Sequence, residues 1–112
     1  MPYRIRAIVA RATTGISVGA LLLLLSPAAS AETVRIEIKS YAFVPAQAKA
    51  RVGDTVEWTN RDAVTHTVTA NRGEWNFELA PNTSRSVVVN KPGPVPYHCN
   101  IHPYMAGSLT VQ

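Results

Sequence analysis

Cysteine occurs once in this chain, at position 99, so no internal disulfide can brace the fold. Acidic residues are missing from the first thirty-one positions, which carry Arg4, Arg6 and Arg11, and all seven Asp and Glu lie beyond them. Apolar runs long enough to cross a bilayer are missing too. The stretch from about Gly15 to Leu25 falls short of the roughly 20 residues a spanning helix requires, and Pro27 limits its extension. From Glu32 onward there is no helical apolar period of useful length, no linker, no low-complexity segment and no internal repeat. At 112 residues the chain is at most one small domain, which excludes a multidomain enzyme. The net charge of +4 belongs mostly to the N-terminus, because from Glu32 on eight Lys and Arg face seven Asp and Glu. With no basic excess beside its few aromatics, the chain is expected to bind no nucleic acid.

What is present at the start has the form of an export signal. Three arginines precede the apolar stretch, and Ala29-Ser30-Ala31 has the small-x-small form of a cleavage site. Residues 1–31 are therefore expected to be a cleaved signal peptide and residues 32–112 a periplasmic domain with no stable membrane insertion; an uncleaved anchor is the rival. No twin-Arg pair occurs, so the chain would cross unfolded and acquire any metal afterwards. A lone thiol in an oxidising compartment is open to oxidation unless burial or a metal protects it.

Period-2 alternation, as in Val34, Ile36, Ile38 and again in Val56, Trp58, recurs between turn signals spaced about ten residues apart. This predicts an all-β antiparallel sandwich with strands near 33–39, 48–52, 55–59, 66–70, 75–79, 84–90, 95–99 and 107–111. Inward positions include Val34, Ile36, Ile38, Phe43, Val52, Val56, Trp58, Val68, Phe77, Leu79, Val87, Val89, Tyr97, Leu109 and Val111.

One stretch concentrates the chemistry. Beyond residue 31 the chain has one Met and one Cys, six residues apart with a His midway: Cys99-Asn100-Ile101-His102-Pro103-Tyr104-Met105. Another His, His66, lies upstream at the start of a predicted strand, from which it is expected to close a site across the sandwich. A thiolate, two imidazoles and a thioether form a soft set that favours copper and excludes calcium and magnesium. Zinc accepts Cys and His, but Met105 would be a weak fourth ligand. The three-residue steps let Cys99, His102 and Met105 point at one centre, and Pro103 stiffens the second step. His98 alternates to the face opposite Tyr97 and Cys99 and is expected to be a hydrogen-bonding or surface residue, not a ligand.

At these residues the sequence resembles the type I blue copper proteins, the cupredoxins, most closely the amicyanin and plastocyanin branch. The resemblance runs through Phe43 and Pro45, VGDTVEWTNRD at 52–62, HTV at 66–68, PG at 92–93, YHCNIHPYMAG at 97–107 and LTV at 109–111. It implies a cupredoxin-like Greek-key β-sandwich with His66, Cys99, His102 and Met105 as ligands of one type I copper ion. The Cys-x-x-His-x-x-Met spacing is similar to the short amicyanin loop. Where that family places Asn after its first His ligand, this chain has Thr67, whose N–H is expected to reach the Cys99 sulfur.

The implied function is that of a monomeric, exported carrier of single electrons between a redox donor and acceptor, such as a dehydrogenase and a c-type cytochrome, through the edge of His102. Pro103 and Tyr104 would add an apolar docking patch. No catalytic residue is assigned, and the chain is expected not to be an enzyme; a Cys99 nucleophile lacks an acidic or amide partner at suggestive spacing. A copper carrier or buffer that hands over the ion itself is the alternative.

Overall fold

The computed structural model describes residues 30–112; the expected export segment lies outside them except for its last two residues. Nine strands follow in order: β1 (Thr33–Lys39), β2 (Ala42–Val44), β3 (Gln47–Ala50), β4 (Thr55–Asn60), β5 (His66–Ala70), β6 (Asn76–Leu79), β7 (Ser84–Val88), β8 (Gly93–His98) and β9 (Ala106–Val111). They form a four-stranded sheet, β2-β1-β4-β7, and a five-stranded sheet, β3-β9-β8-β5-β6. No helix occurs among the described residues, so the all-β expectation holds.

Alternation explains what faces inward. Ile36 and Ile38 of β1, Val56 and Trp58 of β4, Phe77 and Leu79 of β6, and Leu109 and Val111 of β9 are buried between the sheets. Each such side chain contributes roughly 1.5 to 3 kcal/mol when fully buried. Trp58 lies at the centre, with the rings of Tyr97, Trp75 and Phe77 at 5.4, 5.5 and 5.9 Å. Tyr97 pairs across the sheet with Gly107, and a Cβ on that glycine would lie 2.5 Å from the Tyr97 ring. The bare backbone of Gly107 therefore makes room for the phenol. Burial pushes the Tyr97 phenol up to about 12, against a smaller opposite pull from Trp58.

Three features depart from the sequence expectation. First, the sandwich is not wholly antiparallel: β1 runs parallel to β4 and β3 parallel to β9. Turn spacing marks where strands end, but partners distant in sequence leave no local signal. Second, Val52 is 49% exposed instead of buried, because its strand stops at Ala50. The Asp54 carboxylate accepts the N–H groups of Arg51 and Glu32 at 2.8 and 2.9 Å and curls the chain into a turn with Gly53 at φ 99°. Those two bonds, with the Arg51 charge, hold the Asp54 carboxyl below its usual range despite burial.

Third, β2 was not expected. It follows a two-residue turn in which Ser40 and Tyr41 both take positive φ, 51° and 62°, where Gly or Asn normally announces a hairpin. The turn is held from outside: the Asp62 carboxylate accepts the N–H of Ser40 at 2.7 Å and of Tyr41 at 2.9 Å.

Candidate metal centre

Strand pairing brings the two distant stretches together. β5 and β8 are antiparallel neighbours in one sheet, with Thr69 opposite His98 and Ala70 opposite Tyr97. The first residue of β5, His66, therefore lies beside Cys99, the residue that follows β8. This corrects the expectation that His66 reaches across the sandwich: it reaches from the adjacent strand.

Carrying the same register two residues further sets Thr67 opposite Asn100, and there side-chain atoms replace the ladder. The Asn100 N–H donates to the Thr67 hydroxyl at 2.7 Å, and the Thr67 N–H donates to Cys99 Sγ at 3.3 Å. The expected amide-to-sulfur bond is thus present. The Thr67 hydroxyl also pairs with that of Thr69 at 2.9 Å.

The segment from Cys99 to Met105 closes on itself. The Met105 N–H donates to the His102 carbonyl at 2.8 Å, a turn with Pro103 at its second position, where its fixed φ suits the bend. The Cys99 N–H donates to the Met105 carbonyl at 3.1 Å. Met105 is thereby drawn inward and buried, as are Cys99 and His66, while His102 is half-buried at the surface.

Among the described residues, His66, Cys99 and His102 are the one group of His, Cys and acidic side chains able to hold a metal ion. Cys99 Sγ lies 3.8 Å from His66 Nδ1 and 3.8 Å from His102 Nδ1, and the two nitrogens are 3.2 Å apart. The point equidistant from these three corners lies about 2.1 Å from each, inside the roughly 2.0 to 2.3 Å of metal bonds to imidazole nitrogen and thiolate sulfur. The side chains thus already frame a trigonal pocket for one ion. A thiolate and two imidazoles, with a buried methionine closing the same loop, match copper better than a hard cation.

The surroundings include residues to which the sequence reading gave no role. Buried Asn60 donates to the carbonyls of Val64 and Leu79 at 2.8 and 2.9 Å and accepts the Asp62 N–H at 2.9 Å, which fixes the loop leading to His66. Tyr41 lays its ring edge-on against both imidazoles, with centroids 5.2 Å from His66 and 4.8 Å from His102. Asp62 Oδ2 lies 2.9 Å from His66 Nε2. Burial pushes the Asp62 carboxyl up, but hydrogen bonds from Tyr41, His66 and Ser40 outweigh it and hold the group below its usual range. The only hint in the sequence was a carboxylate four residues before a His. His98, as expected, stays outside the cluster: its ring nitrogens face Asn71 at 2.6 Å and Asn100 at 2.9 Å.

Comparison with known proteins agrees with this geometry. The family model of the cupredoxin-like domain matches residues 14–111. Amicyanin-alpha of Methylorubrum extorquens is 33% identical over 108 residues, covering 90% of this chain and 88% of that protein. The purple cupredoxin from Nitrosopumilus maritimus superposes with a TM-score of 0.64 at 26% identity, covering 70% of this chain and 99% of that one. A copper-containing nitrite reductase from Thermus scotoductus superposes at 0.66 and 26% identity over 79% of this chain, but over only 24% of its own. The chain belongs to the cupredoxin-like family and is a blue copper protein of the electron-transfer kind.

Proposed function

We propose that His66 Nδ1, Cys99 Sγ and His102 Nδ1 would hold one copper ion, with Met105 as a fourth ligand. The observation that carries this is the triangle of donor atoms at metal-bonding radius, framed by buried side chains. When bound, copper supplies a one-electron Cu(II)/Cu(I) couple.

The chain's own residues do the rest. The Thr67 N–H stabilises charge on the Cys99 sulfur, and the closed turn around Pro103 restrains the segment that carries His102 and Met105. A pocket that changes little between states lowers the reorganisation each electron requires. Of the three clustered side chains only His102 reaches solvent, so its edge is the route for the electron. Ile101 and Tyr104 beside it, with Val64 and Tyr41 on neighbouring loops, are exposed and apolar, which suits brief docking of a redox protein.

The donor and acceptor are redox proteins; a dehydrogenase and a c-type cytochrome fit the role. Residues 1–31 act as the export signal and the mature domain works in the periplasm; no helix among the described residues is long and apolar enough to cross a membrane. The protein is a carrier and not an enzyme: the nitrite reductase holds a domain of this shape as about a quarter of its chain.

Voltammetry with thiol labelling tests the reading. The copper-loaded chain is expected to give a reversible one-electron wave without releasing metal, and Cys99 is expected to resist iodoacetamide until copper is removed. Loss of copper on each reduction would instead identify a buffer that hands over the ion.

A further inference from the structure

Asp62 belongs to no expected ligand set, yet it touches one. Its side chain is only 13% exposed, and its two oxygens meet three donors: Ser40 N–H, Tyr41 N–H and His66 Nε2. An ionised carboxylate only accepts hydrogen bonds, so the His66 nitrogen facing it must carry the proton. That leaves the Nδ1 lone pair free, and Nδ1 is the atom that faces Cys99 Sγ and His102 Nδ1. The tautomer of His66 is therefore chosen by Asp62.

The two backbone bonds add a second effect. Ser40 and Tyr41 hold positive φ without being glycine, a strained conformation that carries a free-energy cost. The carboxylate offsets that cost by taking both N–H groups, and the turn so fixed lays the Tyr41 ring against the two imidazoles. One side chain thus ties together the β1–β2 turn, the β4–β5 loop and a ligand histidine.

We propose that Asp62 is a positioning residue of the metal centre: it fixes His66 with Nδ1 free, holds Tyr41 over both imidazoles, and by its negative charge biases bound copper towards Cu(II). The inference rests on the copper reading above. Partners that orient ligand histidines typically change metal affinity by about 10- to 100-fold when replaced.

The test is Asp62→Asn, read by nitrogen-15 NMR of the His66 ring in the metal-free protein and by the reduction potential of the copper-loaded one. The native ring is expected to carry its proton on Nε2, and the variant to shift towards the Nδ1-protonated form. The Cu(II)-to-Cu(I) affinity ratio is expected to fall about tenfold, an upward shift of about 59 mV for a one-electron couple. Asp62→Glu keeps the charge and is expected to keep both the tautomer and, within about twofold, the native ratio. A merely structural Asp62 would lower the melting temperature of the asparagine variant and leave tautomer and ratio unchanged, which would overturn the proposal. If the asparagine variant does not fold, the glutamate variant decides: native readouts support the role, and a tenfold change contradicts it. A native chain that gives no blue copper complex would sink the copper reading separately, because the tautomer measurement needs no metal.

Discussion

Thr67 joins β5 to the metal loop through two different atoms. Its N–H serves the Cys99 sulfur and its hydroxyl serves the Asn100 N–H. Thr67→Val keeps the shape and the first bond but orphans the second. Equilibrium denaturation of the metal-free chain is expected to show a loss of about 1 kcal/mol, with Thr67→Ser close to native, because an unmade hydrogen bond at a part-buried site costs about that much. The Asp54 carboxyl gives a pH test at the same scale. Its folded pKa is depressed below the usual 3.8 by the Arg51 and Glu32 amides, so the stability it contributes is complete above about pH 4 and is lost as pH falls through the folded value. The melting-temperature gap between native and Asp54→Asn chains is therefore expected to be full at pH 7 and to close on acidification below pH 4; a constant gap would contradict it.

Among elements, the β8–β9 pair has no room for a side chain at Gly107. Gly107→Ala would put a methyl group 2.5 Å from Tyr97, whose ring is held by Phe43 at 4.8 Å and Trp58 at 5.4 Å and has nowhere to move. Overpacking of this kind costs about 1 to 3 kcal/mol, measurable by denaturant titration of the metal-free protein. How much of each element was legible in advance follows from how local its cause is. Cys99, His102 and Met105 share one short loop, so spacing alone exposed them. His66 stood out chiefly through the pattern around it, and its place beside β8 needed the sheet order. The Ser40–Tyr41 turn was hidden because neither residue is a turn former. Its cause is Asp62, more than twenty residues away, beyond the reach of any local signal. The same distance concealed Asp62 and Tyr41 as neighbours of the site.

For the molecule as a whole, four of the seven large exposed apolar side chains among the described residues lie at the metal end. Tyr104 is 73% exposed beside His102, with Ile101, Val64 and Tyr41 on the adjoining loops. On the proposed docking role two copies would meet and exchange electrons through this surface, so Tyr104→Glu is expected to slow electron self-exchange, followed by NMR line broadening, by about tenfold or more through like-charge repulsion. An unchanged rate would remove the patch from the electron route. Binding of one ion by the folded sandwich alone also raises the melting temperature, by a stabilisation of about 4 kcal/mol when free copper is a thousandfold above its dissociation constant. The most direct measurement is an optical titration of the metal-free chain with Cu(II). One equivalent is expected to produce an intense blue thiolate-to-copper band that saturates and is absent in Cys99→Ser. A colourless complex, or a band that survives loss of the Cys99 sulfur, would contradict a copper centre built on His66, Cys99 and His102.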